Sequence, residues 1–209
     1  MKILAIGSHP DDLEYGCGGT LLKFSKEKNN RIFLGVMTKG NVGGNPSVRW
    51  KEQTNVAKTL NAELFYLGFE DTKVELSKNT IDIIENLINK VKPDLIFVHY
   101  PEDTHQDHRN TSQATITATR YIKNVLFYEV PTTINFLPTI FVDIGKYKQQ
   151  KLDLLKKHKS QVFATKVKQL SILESAVSTA IFRGFQNRTK YAEGFMPLRL
   201  SLDFYLENL

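Results

Sequence analysis

Two short runs of this 209-residue chain carry the side chains of hydrolytic metal chemistry: Ser8-His9-Pro10-Asp11-Asp12 and His105-Gln106-Asp107-His108. Each follows an apolar stretch, Ile3 to Ile6 in the first case and Leu95 to Val98 in the second. A divalent ion used in catalysis is commonly held by three protein groups with a position left for water. His9, Asp12 and His108 make such a set of two imidazoles and one carboxylate. Asp11 is then left over, and a carboxylate beside a metal-activated water can take its proton and later return it to a leaving group. The order Asp-Asp does not itself say which acid ligates and which serves as base. His105 and His108, three apart, can face one cavity from a first helical turn, with Asp107 close enough to orient a ring and fix its tautomer. A lone His-Asp pair is usually a capping or loop hydrogen bond; two clusters, each after a buried strand, favour a shared site.

The elements that must position these residues are read from periodicity. Lys2 to Ile6, Ile32 to Met37, Glu63 to Tyr66 and Leu95 to Val98 read as strands, alternating with helices at Thr20 to Lys28, Val48 to Leu60 and Ile81 to Val91. Alternation of this kind, with nearly continuous apolar strands, predicts a parallel sheet covered by helices on both faces. The carboxyl ends of such strands share one edge, so half-sites roughly a hundred residues apart converge there. Beyond them, the pattern predicts helices at Gln106 to Tyr121, Lys146 to Lys157 and Thr165 to Ile181, with apolar runs at Val125 to Tyr128 and Thr139 to Val142. Leu198, Leu200, Leu202 and Phe204 alternate with polar residues, as in an edge strand.

Length and composition fit a single domain over residues 1–209, with 41% hydrophobic residues for its core. With no apolar stretch of about 18 residues and no secretory start, a cytoplasmic location without a transmembrane segment is expected. One cysteine, Cys17, rules out a thiolate cage, so a metal must be held by imidazole and carboxylate. The net charge of +6 is regional: Lys146 to Lys168 holds eight lysines against the single acid Asp153, a surplus of +7. That segment has no arginine and few aromatics, so nucleic acid is not expected as a partner; a solvated face is the plain reading, with an acidic substrate or membrane surface as the alternative.

His9-Pro10-Asp11-Asp12 followed by Gly18-Gly19-Thr20, paired with His105-x-Asp107-His108, resembles the PIG-L or LmbE-like deacetylases. Weaker signatures follow in the same order: Arg49 with Glu52, His158-x-Ser160-Gln161, and Tyr191-Ala192-Glu193. The resemblance implies a Rossmann-like α/β fold, doubly wound, with a mostly parallel sheet, and zinc-dependent removal of acetyl or related acyl groups from amino sugars and their conjugates. It makes His9, Asp12 and His108 the zinc ligands, Asp11 the general base, His105 the stabiliser of the tetrahedral intermediate, Asp107 the residue orienting an imidazole, and Arg49 a sugar or substrate-anion contact. One departure is Gln106, where relatives commonly have proline, which would stiffen the turn. A homo-oligomer is compatible with the resemblance. Fe2+ is the alternative ion, since two histidines and a carboxylate also bind non-haem iron.

Other residues divide between function and structure. If Ser47 caps the helix at Val48, Arg49 falls in its first turn, where the macrodipole disfavours a cation, and Glu52 can offset that placement as an ion pair. Lys39 to Pro46 is glycine-rich enough for a mobile loop over the site, with a plain surface connection as the equal alternative, and the loops Lys39 to Ser47 and Asn135 to Thr139 are expected to shape the pocket. Gly16, Gly18 and Gly19 do not have nucleotide-fingerprint spacing and are expected to turn the backbone beside the metal into a helix at Thr20. Cys17 reads as a small buried residue and His99 as a cavity or core histidine; the resemblance alone makes His158 and Glu193 pocket groups, the alternatives being a surface position for His158 and an ion pair with Arg183 or Arg199 for Glu193. The alternatives to a deacetylase are an amidase on an acylated peptide or thiol conjugate and a non-catalytic, metal-dependent glycan-binding module; the spare carboxylate argues against the latter.

Overall fold

The computed structural model describes residues 1–203. Strand β1 (Lys2–Gly7) shows why its residues are apolar without alternation. Ile3 and Ala5 enter a core with Leu34, Phe97 and Leu126, whereas Leu4 and Ile6 enter a second core with Phe33, Ile96 and Val98. A strand buried on both faces has no polar side to present. Helices α1 (Asp12–Ser25), α2 (Pro46–Leu60), α5 (Lys148–Leu155) and α6 (Ile172–Gln186) line the first core. Helices α3 (Lys78–Val91) and α4 (Gln106–Ala118) line the second.

The remaining strands are β2 (Arg31–Thr38), β3 (Glu63–Phe69), β4 (Leu95–His99), β5 (Val125–Tyr128), β6 (Ile140–Asp143) and β7 (Ala192–Arg199), and the sheet order is β3-β2-β1-β4-β5-β7-β6. The first five run parallel, and β7 is antiparallel to both β5 and β6. The chain therefore begins at the centre, winds out to β3 and returns to place β4 against β1. At that reversal of winding direction, the loops after β1 and β4 open a crevice at the carboxyl edge. The mostly parallel, doubly wound α/β sheet with helices on both faces is the fold expected from the sequence.

Several boundaries differ from the expectation. Helix α1 begins at Asp12 instead of Thr20, because residues 12–25 form two helical pieces merged across a kink at Cys17 (φ −140°, ψ 15°). The glycines lie within it and permit close packing: a Cβ on Gly16 would stand 2.1 Å from the Tyr128 ring. Amides freed near the kink are taken by Glu193 of β7, whose two carboxylate oxygens accept from Gly19 N (2.8 Å) and Thr20 N (2.7 Å). The cap of α2 is Asn45, accepting from Ser47 N and Val48 N with Pro46 as first helical residue, and not Ser47. Helix α6 starts at Ile172 and not Thr165, since Ser171 and Glu174 form a reciprocal capping box.

The segment 146–157 divides into a 3-10 turn, Gly145–Tyr147, and α5; α4 ends at Ala118, three residues early. The alternating C-terminal run does not mark an edge. Strand β7 sits between β5 and β6 and is offset toward Ala192, with its first four residues buried; Phe204 lies outside the described residues.

Lys151 donates to Glu193 Oε1 (2.6 Å) and to Tyr15 O (2.5 Å), and both charged side chains are buried. Removing the carboxylate leaves two buried amides without acceptors and a buried ammonium with no counter-charge, held by the Tyr15 carbonyl alone. Glu193→Ala is expected to destabilise the fold by about 3–5 kcal/mol, against less than about 1 kcal/mol for Lys78→Ala at the exposed Lys78–Asp82 pair. Urea denaturation of both variants checks this, and equal midpoints would contradict it.

Candidate metal and catalytic site

The two half-sites meet. His9 follows the end of β1, and His108 stands in the first turn of α4, whose cap is His105. His9 Nδ1 lies 3.2 Å from His108 Nε2, and Asp12 Oδ1 lies 3.5 Å from His108 Nε2. His9, Asp12 and His108 each offer a ligand atom within 4.8 Å of the other two, and all three residues are buried. The donor set fits a divalent cation for a further reason: the sides facing away from the cluster are already tied. Asp12 Oδ2 accepts from Ser8 N (3.1 Å), His9 N (2.7 Å) and His99 Nε2 (3.1 Å), leaving Oδ1 toward the cluster. His9 Nε2 faces Asp107 Oδ2 (3.1 Å) and Asp71 Oδ1 (3.0 Å). His108 Nδ1 faces Asp103 Oδ1 (3.2 Å) and Thr132 Oγ1 (3.3 Å). Carboxylates behind metal-binding imidazoles fix the tautomer that turns a lone pair inward.

The electrostatics follow from burial set against neighbours. Burial pushes the Asp12 carboxyl up, but the adjacent His108 and His99 rings and the hydrogen bonds from His108 and His9 overcome it and hold Asp12 well below the usual range. Burial also works against a charge on His108, yet Asp12 and Asp103 raise that ring to about 9. His99, enclosed and stacked at 4.1 Å on His108, is lowered by burial and by the His108 charge to about 4. His99 is thus a neutral donor beneath Asp12 and not a cavity group.

Asp11 stands apart from this cluster. It caps α1 with its backbone in the left-handed region (φ 97°), a conformation costly for a residue with a side chain and typical of functional turns. Its amide donates to Gln53 Oε1 (3.3 Å), and its carboxylate lies 3.5 Å from Arg49 Nη2. Burial pushes Asp11 up to about 6, with Arg49 opposing and Asp12 adding to the rise. His105 Nδ1 accepts from Asp107 N (3.2 Å), so a neutral ring carries its proton on Nε2. Burial, then the His9 and His108 charges, keep this ring below its ordinary value and hence neutral.

His9, Asp11, Asp12, Arg49, His105 and His108 line one cavity of about 490 Å³. Arg49 is buried and donates to Gly40 O (2.9 Å) and Pro10 O (2.8 Å). The expected Arg49–Glu52 ion pair is not present; Glu52 accepts from Ser160 N (2.9 Å) and Ser160 Oγ (2.6 Å). Arg49 instead anchors the glycine-rich loop, where Gly40 (φ +66°) has no space for a Cβ, which would stand 2.0 Å from Nη1. Val42 and Gly43 of that loop line the cavity, and so do Val130 to Thr132, in place of 135–139. His158 is buried behind the cavity, bonded to Glu14 (3.1 Å), and Glu193 braces α1; neither is among the lining residues.

Sequence reasoning missed Asp71 and Asp103. Both carried the signal used for the half-sites, an acid shortly after a parallel strand: Asp71 follows β3, and Asp103 follows β4. Removing the carboxylate behind a metal-binding histidine typically costs 10- to 100-fold in metal affinity. If the cluster takes zinc, Asp103→Asn is therefore expected to weaken its binding by about that factor without loss of fold, measured against a competing chelator; unchanged affinity would contradict the arrangement.

Residues 4–119 match the family described as PIG-L: GlcNAc-PI de-N-acetylase. An Escherichia coli K12 protein described as uncharacterized deacetylase YaiS is 39% identical, the alignment covering 76% of this chain and 90% of that protein. Diacetylchitobiose deacetylase of Thermococcus kodakarensis is 28% identical, over 94% of this chain and 83% of its own. Among solved structures, the conserved protein TT1542 of Thermus thermophilus superposes with a TM-score of 0.83 at 23% identity, covering 96% of this chain and 95% of that one, which shows the shared fold. The matched region contains both histidine-aspartate motifs, and the chain belongs to the PIG-L (LmbE-like) family.

Proposed function

We propose that the protein is a metal-dependent N-deacylase that removes an acetyl or related acyl group from an amino sugar or its conjugate. The observation that carries this reading is Asp11: an acid beside a three-residue donor set, outside it, and raised by burial to about 6. A binding module has no use for such a group, whereas amide hydrolysis needs one to move a proton. The relatives named deacetylase, one of them for an N-acetylated sugar, support the acyl-amide substrate.

His9, Asp12 and His108 would hold the cation, and two imidazoles with a carboxylate suit zinc, with Fe2+ as the alternative. Such an ion supplies Lewis acidity to a water and to the amide carbonyl. Asp11 takes the proton of the attacking water and delivers it to the amine nitrogen, which must leave protonated. His105, neutral with its proton on Nε2, donates to the oxygen that gains charge as the carbonyl becomes tetrahedral. Asp107, completely enclosed, keeps the far face of His9 in place while accepting from Thr72 N (2.7 Å) and Val74 N (3.2 Å). Arg49 lies at the cavity wall as a contact for a sugar hydroxyl or substrate anion, its position set by its two carbonyl acceptors.

Asp11→Asn is expected to bind zinc as the wild type does and to lose roughly 10²–10⁴-fold in turnover of N-acetylglucosamine conjugates, read as primary amine release; a variant with near-normal rate would remove Asp11 as the base. Because the base must be ionised to accept a proton, activity is present above the Asp11 pKa and lost below it. The acid limb of the wild-type kcat/KM profile should accordingly fall near pH 6. A flat profile from pH 5 to 7 would contradict the assignment.

A further inference from the structure

We infer that the segment 159–170, which rims the cavity, is a docking surface for an anionic lipid bilayer. The segment leaves α5 and returns to α6, and its residues Gln161, Ala164 and Lys166 line the cavity. It also presents large apolar side chains to solvent: Phe163 is 83% exposed, Val167 59% and Leu170 37%. Interleaved with them are the exposed Lys159, Lys166 and Lys168, and no Asp or Glu occurs from residue 156 to residue 170. Among the described residues, none of these three lysines has a carboxylate within ion-pair distance.

The exposure is built into a folded loop. Ser160 is bonded to Glu52, Gln161 Nε2 donates to Gly43 O (3.2 Å), and Ile172 N donates to Val162 O (3.1 Å). Within the loop, Ala164 N donates to Gln161 O and Leu170 N to Val167 O. Val162 is turned inward while Phe163 is turned out, so the apolar tip is held in water by a segment already anchored on both sides.

Charge decides between occupants. A second copy docking through the same patch would oppose lysines to lysines across a two-fold axis, a juxtaposition that disfavours association. Nucleic acid would call for arginines and stacking platforms, and the segment has no arginine and one aromatic ring. A bilayer with anionic headgroups satisfies both features at once: lysines gain at the charged surface, and Phe163 and Val167 enter the boundary with the acyl chains. Docking in this way sets the mouth of the cavity at the lipid surface.

The test uses the full chain and vesicles, with no catalysis, so its outcome is independent of the deacylase reading. Cosedimentation is measured with phosphatidylcholine vesicles that contain phosphatidylglycerol and with phosphatidylcholine alone. At least tenfold stronger binding to the anionic vesicles is expected. Phe163→Ser with Val167→Ser should reduce it tenfold or more, and Lys166→Gln with Lys168→Gln should remove most of the preference for anionic lipid. These are exposed positions, and circular dichroism checks that each variant folds. No binding to either vesicle, or binding that survives both pairs of substitutions, overturns the inference. So does a dimer in gel filtration that Phe163→Ser with Val167→Ser dissociates, with no vesicle binding.

Discussion

Two imidazoles and a carboxylate face one another at contact distance because every other polar atom on those side chains has been given a partner. Asp12 is the pivot. Three donors hold one of its oxygens, two of them backbone amides of the turn that carries His9, so the turn and the carboxylate define each other. The same turn forces Asp11 into the left-handed region and so aims the neighbouring acid elsewhere. Adjacent residues in sequence thereby take different roles, one inside the donor set and one beside it.

The site can be buried because its charges are paired within a second layer of groups. Asp107, completely enclosed, receives two backbone amides and the His9 ring; Glu14, equally enclosed, receives Gln53 and His158. Gln53 also accepts from the Asp11 amide, so α2 reaches both the turn that carries His9 and the buried Glu14 through one side chain. Unpaired, any of these groups would cost several kcal/mol in an interior of low polarity, roughly the scale of a domain's whole stability. Even so, His99 Nδ1 and His158 Nδ1 have no hydrogen-bond partner among the described residues, which is the residual cost of enclosing so many ionisable groups.

Much of this was legible in the sequence, for physical reasons. The strands are buried on both faces, so their apolar runs are continuous and easy to read, and a parallel order then dictates that β1 and β4 end at one edge. Helix starts are harder to read: apolar periodicity carries the expected start of α6 back to Thr165, past the local capping box Ser171-x-x-Glu174, and α1 runs through the Gly16-to-Gly19 stretch because Glu193, far along the chain, takes the amides freed near its kink, which no local signal announces. The lysine-rich segment shows the same limit. Lys151 is buried against Glu193, Lys166 rims the cavity, and Lys168 faces solvent, three environments that composition alone presents as one charge surplus. Arg49 stands out in the sequence for its awkward helical position; its real constraint is a pair of loop carbonyls nearby in space.

The converging groups are proposed to hold a cation and to use it to cleave an N-acyl bond. The most direct measurement is primary amine release from N-acetylglucosamine conjugates by protein stripped of metal and by the same protein reloaded with zinc. The account predicts release that vanishes on stripping and returns on reloading. Equal release by the stripped protein, or none from any conjugate with zinc bound, would contradict it.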